Sequence, residues 1–207
     1  MDAQELTALL VLCTATSFTP GPNTTLSTAL AANFGLKRAI RFVLAVPVGW
    51  GLLFSLCAGG LGALVVAAPA LRVSIQIGGI AYLLWLAFKL GRSTALAQAD
   101  TSRLEVTFWQ GVALQFLNIK AWMLALTVVA GWLAGRNDVV QRFAIIFPLL
   151  LAYAFFSNLL YASIGSLLRE WLSGPLIDGR PTAIRLRWFN RVMALVLVAT
   201  AYWMARL

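Results

Sequence analysis

The stretch Ser17-Phe18-Thr19-Pro20-Gly21-Pro22-Asn23-Thr24-Thr25 interrupts an apolar run extending from about residue 6 to residue 28. Two prolines and a glycine remove backbone donors and permit an irregular turn, so a helix crossing this region is expected to break between Thr19 and Asn23. At membrane depth such a break is tolerated only where it is buried in protein or lines a watery cavity. Thr19 reads as an N-cap and Pro20 as the first position of a second half-helix. That half-helix would aim its positive dipole end at the bilayer middle, where unpaired N–H groups suit a carboxylate. Hydroxyls of Thr14, Thr16, Ser17, Thr24, Thr25, Ser27 and Thr28 surround the break. The plainer alternative is a proline kink whose freed backbone groups are re-satisfied by those hydroxyls.

Composition places this break in lipid. Of 207 residues 61% are apolar and 11% charged, against roughly half and a quarter in soluble domains. Apolar runs fall at about 6 to 28, 42 to 66, 70 to 90, 108 to 133, 143 to 167 and 189 to 206. Runs of this length suit helices, which satisfy their own backbone, rather than shorter alternating barrel strands. The expected fold is an all-α integral membrane protein of six transmembrane helices forming one domain over 1–207. The polar stretch Gly91 to Thr107, with Ser93, Thr94, Gln98, Asp100, Thr101, Ser102, Arg103 and Glu105, divides two halves, 1–90 and 108–207. The acidic N-terminus, Met1-Asp2-Ala3-Gln4-Glu5, is unlike a secretory signal, so the first run is expected to be retained.

The charge of +9 is distributed between and beside the apolar runs, as membrane orientation requires and a nucleic-acid face does not. Eleven Lys and Arg flank the first, third and fifth connections (Lys37, Arg38, Arg41; Lys89, Arg92, Arg103; Arg169, Arg180, Arg185, Arg187, Arg191). Four flank the opposite side: Arg72, Arg136, Arg142 and Arg206. This bias puts the odd connections in the cytoplasm and both termini outside.

The halves also match in detail. Arg41-Phe42-x4-Pro47 opens the second run and Arg142-Phe143-x4-Pro148 the fifth, with Phe54-Ser55 and Phe156-Ser157 further on. Arg72-Val73 to Ala81-Tyr82 is paralleled by Arg191-Val192 to Ala201-Tyr202. Because three crossings are odd in number, a duplicated three-helix unit enters the membrane inverted, an arrangement used by secondary transporters.

The position equivalent to the first break is Gln115-Phe116-Leu117-Asn118-Ile119-Lys120. Lys120 lies about twelve residues into its run, roughly 18 Å deep. A lysine there costs about 2.5 to 3.5 kcal/mol unless it faces protein or water; the alternative is a run that starts later, with Lys120 snorkelling to the surface. Asp2, Glu5, Asp100, Glu105, Asp138, Glu170 and Asp178 all fall at ends or in connections. Without a mid-depth carboxylate, a substrate ammonium must rely on Asn23, Asn118, hydroxyls and freed carbonyls, which favours a small zwitterion over a dibasic amino acid. Lys120 is then the group left for proton coupling. Ser157 and Asn158, with Tyr161, are candidates for a secondary cavity wall; Asn158 serves equally as interhelical glue.

The absence of His argues against hydrolytic and zinc chemistry, so neither an enzyme, a metal nor a cofactor is expected. Cys13 and Cys57 read as buried thiols, and a transmembrane thiol carrier using them is the rival function. Gly49, Gly51, Gly59, Gly60, Gly62, Gly78 and Gly79, with Gly131-x3-Gly135, read as close helix packing. Trp109, Trp132, Trp171, Trp188 and Trp203 read as an interfacial belt.

Thr19-Pro20-Gly21-Pro22-Asn23, the basic Gly35-Leu36-Lys37-Arg38, Ala81-Tyr82-Leu83 with Lys89, and Asn118-x-Lys120 resemble the lysine-exporter and homoserine/threonine-efflux family of bacterial amino-acid exporters. The resemblance covers nearly the whole chain. It implies a proton-driven, multi-pass exporter of the inner membrane, in contact with lipid and amino acid, and carries over Pro20, Gly21, Pro22, Asn23, Asn118 and Lys120. Two departures stand out. Ile119 replaces the family's usual proline, which makes a break there less secure, and Ala39 replaces a glycine. Phe108-Trp109, Ala113-Leu114-Gln115-Phe116 and the proline-free Asn-x-Lys look most similar to the branch exporting cysteine and O-acetylserine. Whether copies associate into a homo-oligomer is left open.

Overall fold

In a computed structural model the described residues are 1–93, 106–177 and 180–206. The chain is helical: α1 (Ala3–Ser17), α2 (Pro22–Phe34), α3 (Leu36–Ala58), α4 (Leu61–Ala67), α5 (Pro69–Gly91), α6 (Phe108–Leu117), α7 (Ile119–Val128), a π-helical turn (Val129–Leu133), α8 (Val139–Ser173) and α9 (Ile184–Ala205). A two-residue antiparallel pair, β1 (Leu176–Ile177) with β2 (Arg180–Pro181), precedes α9. Within the expected polar connection Gly91–Thr107, residues 94–105 lie outside the described residues; they include Thr94, Gln98, Asp100, Thr101, Ser102, Arg103 and Glu105. Asp178 also lies outside them.

Four helices, α3, α5, α8 and α9, are each long and apolar enough to cross a membrane. The pair Phe108–Leu117 and Ile119–Leu133 passes the same test together, bent by 67°. The first apolar run is not one helix. At 1.5 Å per residue, α1 and α2 reach about 22 and 20 Å, short of a ~30 Å hydrocarbon core. The run boundaries move too. α2 continues to Phe34, so Lys37 and Arg38 belong to the first turn of α3, and the basic turn shrinks to Gly35, whose φ of +81° suits glycine.

α2 is buried on nearly every side, including Thr24, Thr25, Ser27, Thr28 and Asn33, as expected of a helix with no polar face. It packs against α8, α3 and α9, while α5 packs on α9 and α3 on α6. Glycines set the closest approaches: an added Cβ at Gly49 in α3 would lie 2.5 Å from the Val112 carbonyl oxygen in α6.

The segments around Gly35, Ser93 and Arg169 gather at one end of the bundle, and those around Glu5, Arg136, Gln76 and Met204 gather into two further groups of contacts. At that end a Cβ on Gly35 would meet Arg169 of α8 at 3.3 Å, and Asn190 of α9 donates to the Ser93 carbonyl at 3.2 Å. In the other two groups Glu5 pairs with Arg136 at 3.2 Å and Arg142 at 3.0 Å, and Gln76 donates to the Met204 carbonyl at 2.6 Å. Arg142 also bonds Asp138 at 2.7 Å, which holds that carboxyl below its usual range.

Asn33 and Asn190 form a reciprocal amide pair at 2.8 and 2.9 Å, fully enclosed between α2 and α9. Asn190→Leu is expected to lower stability by about 1–3 kcal/mol, because it strands the Asn33 side-chain oxygen, although the Asn33 nitrogen keeps its bond to the Ala29 carbonyl. Thermal unfolding in detergent checks this, and adding Asn33→Leu should recover part of the loss, since neither site then carries an unpaired polar group.

Candidate functional site

The residue before a proline is pushed to extended backbone, and Gly21 adopts it at φ −166° and ψ −175°. Helix α2 therefore starts at Pro22 with Gly21 as its N-cap, not at Pro20 with Thr19 as cap. The Thr19 hydroxyl instead donates back to the Ala15 carbonyl of α1. The first intrahelical N–H donor of α2 is Thr25, bonded to the Gly21 carbonyl at 2.9 Å. Pro22 has no N–H, which leaves the Asn23 and Thr24 amides as the orphans of a helix N-terminus.

The carbonyls freed between α1 and α2 are taken by side chains from elsewhere. Lys120 Nζ donates to the Thr19 carbonyl at 3.1 Å, and the Tyr161 hydroxyl of α8 donates to the Phe18 carbonyl at 2.9 Å. Lys120 thus lies against the break rather than reaching away from it. A Cβ at Gly21 would stand 3.4 Å from its Nζ.

The second break occurs at Asn118, with φ −94° and ψ 97°, although no proline is present. Two features support it, one local and one tertiary. The Trp122 indole donates to the Phe116 carbonyl at 2.8 Å, and Gly79 of α5 allows its backbone to lie against the Leu117 carbonyl. Asn118 starts α7 through its backbone, its carbonyl accepting from Ala121 at 2.9 Å and Trp122 at 3.2 Å, without a side-chain cap.

Both breaks border one cavity of ≈ 70 Å³, room for about two waters at their ~30 Å³ share of liquid volume. Thr16, Ser17 and Thr19 line it from the end of α1, and Gly21, Pro22, Asn23 and Thr24 from the start of α2. Asn118, Lys120, Ala121 and Leu124 face it from the second break, and Ser157 and Asn158 from α8. Two expected site residues stand apart. Pro20 is exposed outside the lining, and Gln115 is fully buried behind it. Gln115 and Asn23 exchange amide hydrogen bonds at 2.8 and 3.1 Å, and Gln115 also donates to the Gly111 carbonyl. The Asn158 oxygen accepts from the Ser27 hydroxyl at 2.8 Å. Tyr161, expected near this wall, clamps the break instead of lining the cavity.

The apolar wall escaped the sequence reading: Val46 and Trp50 from α3, Leu150 and Ala154 from α8. Val46 and Ala154 belong to one apolar core, Trp50 and Leu150 to the other, so the cavity occupies the seam between two cores. A tryptophan in mid-run, away from the interfacial belt, was the available signal for Trp50. None of the described residues lining the cavity is acidic. Cys13 and Cys57 are free thiols buried in the second core, outside the lining. Among the described residues no group of three His, Cys, Asp or Glu could hold a metal.

The chain is similar to known efflux proteins. A cysteine/O-acetylserine efflux protein of Salmonella typhimurium is 30% identical over 170 residues, covering 82% of this chain and 87% of that protein. One of Escherichia coli is 28% identical over 155 residues, covering 75% and 79%. No solved structure matches. The LysE type translocator description matches residues 14–206, and the chain belongs to that family.

Proposed function

We propose that this chain is a secondary active exporter of small neutral amino acids, of the cysteine and O-acetylserine or threonine and homoserine kind, in the bacterial inner membrane. The observation that carries the reading is the meeting of two broken helices at one polar cavity, with Lys120 bonded to the carbonyl of Thr19. A substrate carboxylate would lie at the α2 N-terminus, where dipole and free amides favour an anion. Thr19, Pro20, Gly21, Pro22, Asn23, Gln115, Asn118 and Lys120 form or brace the site, with Ser157 and Asn158 as its far wall. Lys120 exchanges the coupling proton. The size of the cavity and its lack of acidic lining favour a small zwitterion over a dibasic substrate.

The fold behind this reading is two inverted three-helix repeats, 1–90 and 108–207, with α1 and α2 together as one interrupted crossing. Each half then runs broken crossing, proline-bearing helix, plain helix, with Pro47 in α3 and Pro148 in α8. Contacts between the halves support it. The first broken crossing packs on α8 and the second on α3, chiefly through α2 in one and α6 in the other, while α5 and α9 pair with each other. Export proceeds by rocking one repeat against the other around the cavity. The basic odd connections face the cytoplasm and both termini face outward.

Efflux from preloaded proteoliposomes, with and without a pH gradient, tests the function. Cysteine, O-acetylserine, threonine or homoserine should leave faster with the gradient, and lysine and arginine should stay. Movement of lysine and arginine with all neutral candidates ignored would overturn the charge argument.

A further inference from the structure

We infer that the side-chain oxygen of Asn118 accepts the substrate's α-ammonium and makes the cavity select free amino acids over their N-acylated isomers. This rests on the cavity being an amino-acid site. Asn118 lines the cavity at the second break and is 5% exposed. Its Oδ1 is the one buried side-chain oxygen without a hydrogen-bond partner among the described residues. Asparagine commonly caps helices, yet no such bond forms here at the start of α7. An enclosed oxygen with no donor is costly and rare in native proteins, so a donor is expected from outside the chain.

The neighbouring side-chain amide oxygens and the carbonyls freed at the first break each already take a donor. The Asn23 oxygen takes Gln115, the Asn158 oxygen takes Ser27, and the Thr19 and Phe18 carbonyls take Lys120 and Tyr161. The remaining character of the site favours anions: the Lys120 ammonium and the α2 N-terminus attract a carboxylate whether or not an ammonium accompanies it. An N-acylated amino acid, a net anion, would satisfy both. Asn118 Oδ1 is the feature that distinguishes the zwitterion, because an acyl amide offers it no ammonium.

O-acetylserine and N-acetylserine test this directly, since they are isomers differing in which atom bears the acetyl group. In cysteine counterflow at mildly acidic pH, which limits acetyl migration, wild type should be inhibited by O-acetylserine far more than by N-acetylserine. Asn118→Leu should raise the half-saturating cysteine concentration roughly 10- to 100-fold, as expected for a lost charge-assisted hydrogen bond, and narrow the gap between the isomers. Asn118→Asp keeps the acceptor and adds a charge that repels the N-acetyl anion, so it should widen the gap. If the leucine variant does not reach the membrane, the aspartate variant decides, and a narrowed gap there overturns the inference. Equal inhibition of wild type by both isomers, or unchanged discrimination in Asn118→Leu, also overturns it. Wild-type vesicles that exchange no small amino acid would instead defeat the transporter reading itself.

Discussion

Lys120→Met is expected to reduce pH-driven export to the level of empty vesicles while the protein still folds and inserts. Methionine is likewise unbranched and only one atom shorter, and it removes the charge, the proton and the donors. The bond lost is the one from Nζ to the Thr19 carbonyl at 3.1 Å. Because water can reach that exposed carbonyl, losing the bond costs about 0.5–1.5 kcal/mol, enough to loosen the break without unfolding a helix bundle. Coupling suffers more, since the cavity lining holds no carboxylate to relay a proton in its place. Efflux into vesicles with and without an imposed pH gradient separates the two effects. Loss of gradient stimulation with insertion intact supports Lys120 as the coupling group. Full gradient-driven export by the variant would transfer that role elsewhere.

The first break was legible in the sequence because its cause is local. Pro20 and Pro22 restrict the residues before them and deny the backbone two donors. The same rule, applied to Gly21, also yields the observed helix start at Pro22; choosing Thr19 as the cap gave its hydroxyl more weight than the proline that follows Gly21. The second break had no such local cause. It depends on the Trp122 indole reaching the Phe116 carbonyl and on Gly79, far away in the chain, allowing α5 to close on Leu117. A missing proline therefore argued against a break that a nearby indole and the packing of α5 make together. Depth and charge marked Lys120 as a group that needs a partner, since a lone amine in an apolar run is costly. They did not identify the partner as a backbone carbonyl. Val46, Trp50, Leu150 and Ala154 were invisible as cavity residues for a different reason. Each looks like ordinary core, and the seam exists only once two apolar clusters meet.

Gly165→Ala should abolish transport and lower stability by about 1–3 kcal/mol, although it adds a single methyl group. Gly165 lies where α8 crosses α2. Its added Cβ would come within 2.9 Å of the Thr28 carbonyl carbon and 3.0 Å of the Thr28 Cα, and closer still to the carbonyl oxygen. These are backbone atoms, so no side chain can rotate away, and the helices must separate. Helix propensity acts in the opposite direction, favouring alanine over glycine by up to about 1 kcal/mol, so a net loss isolates the packing clash. Separation matters because α2 presents Gly21, Pro22, Asn23 and Thr24 to the cavity while α8 presents Ser157 and Asn158. It would also strain the bond from Ser27 to Asn158 at 2.8 Å, which fixes one helix against the other. Gly131→Ala is the matched control, since its added carbon meets nothing within 4 Å. Thermal unfolding in detergent together with cysteine efflux should show Gly165→Ala impaired in both and Gly131→Ala in neither. Normal transport by Gly165→Ala would mean that α2 and α8 can part at Thr28 without disturbing the cavity, and that their close approach is not what positions the site.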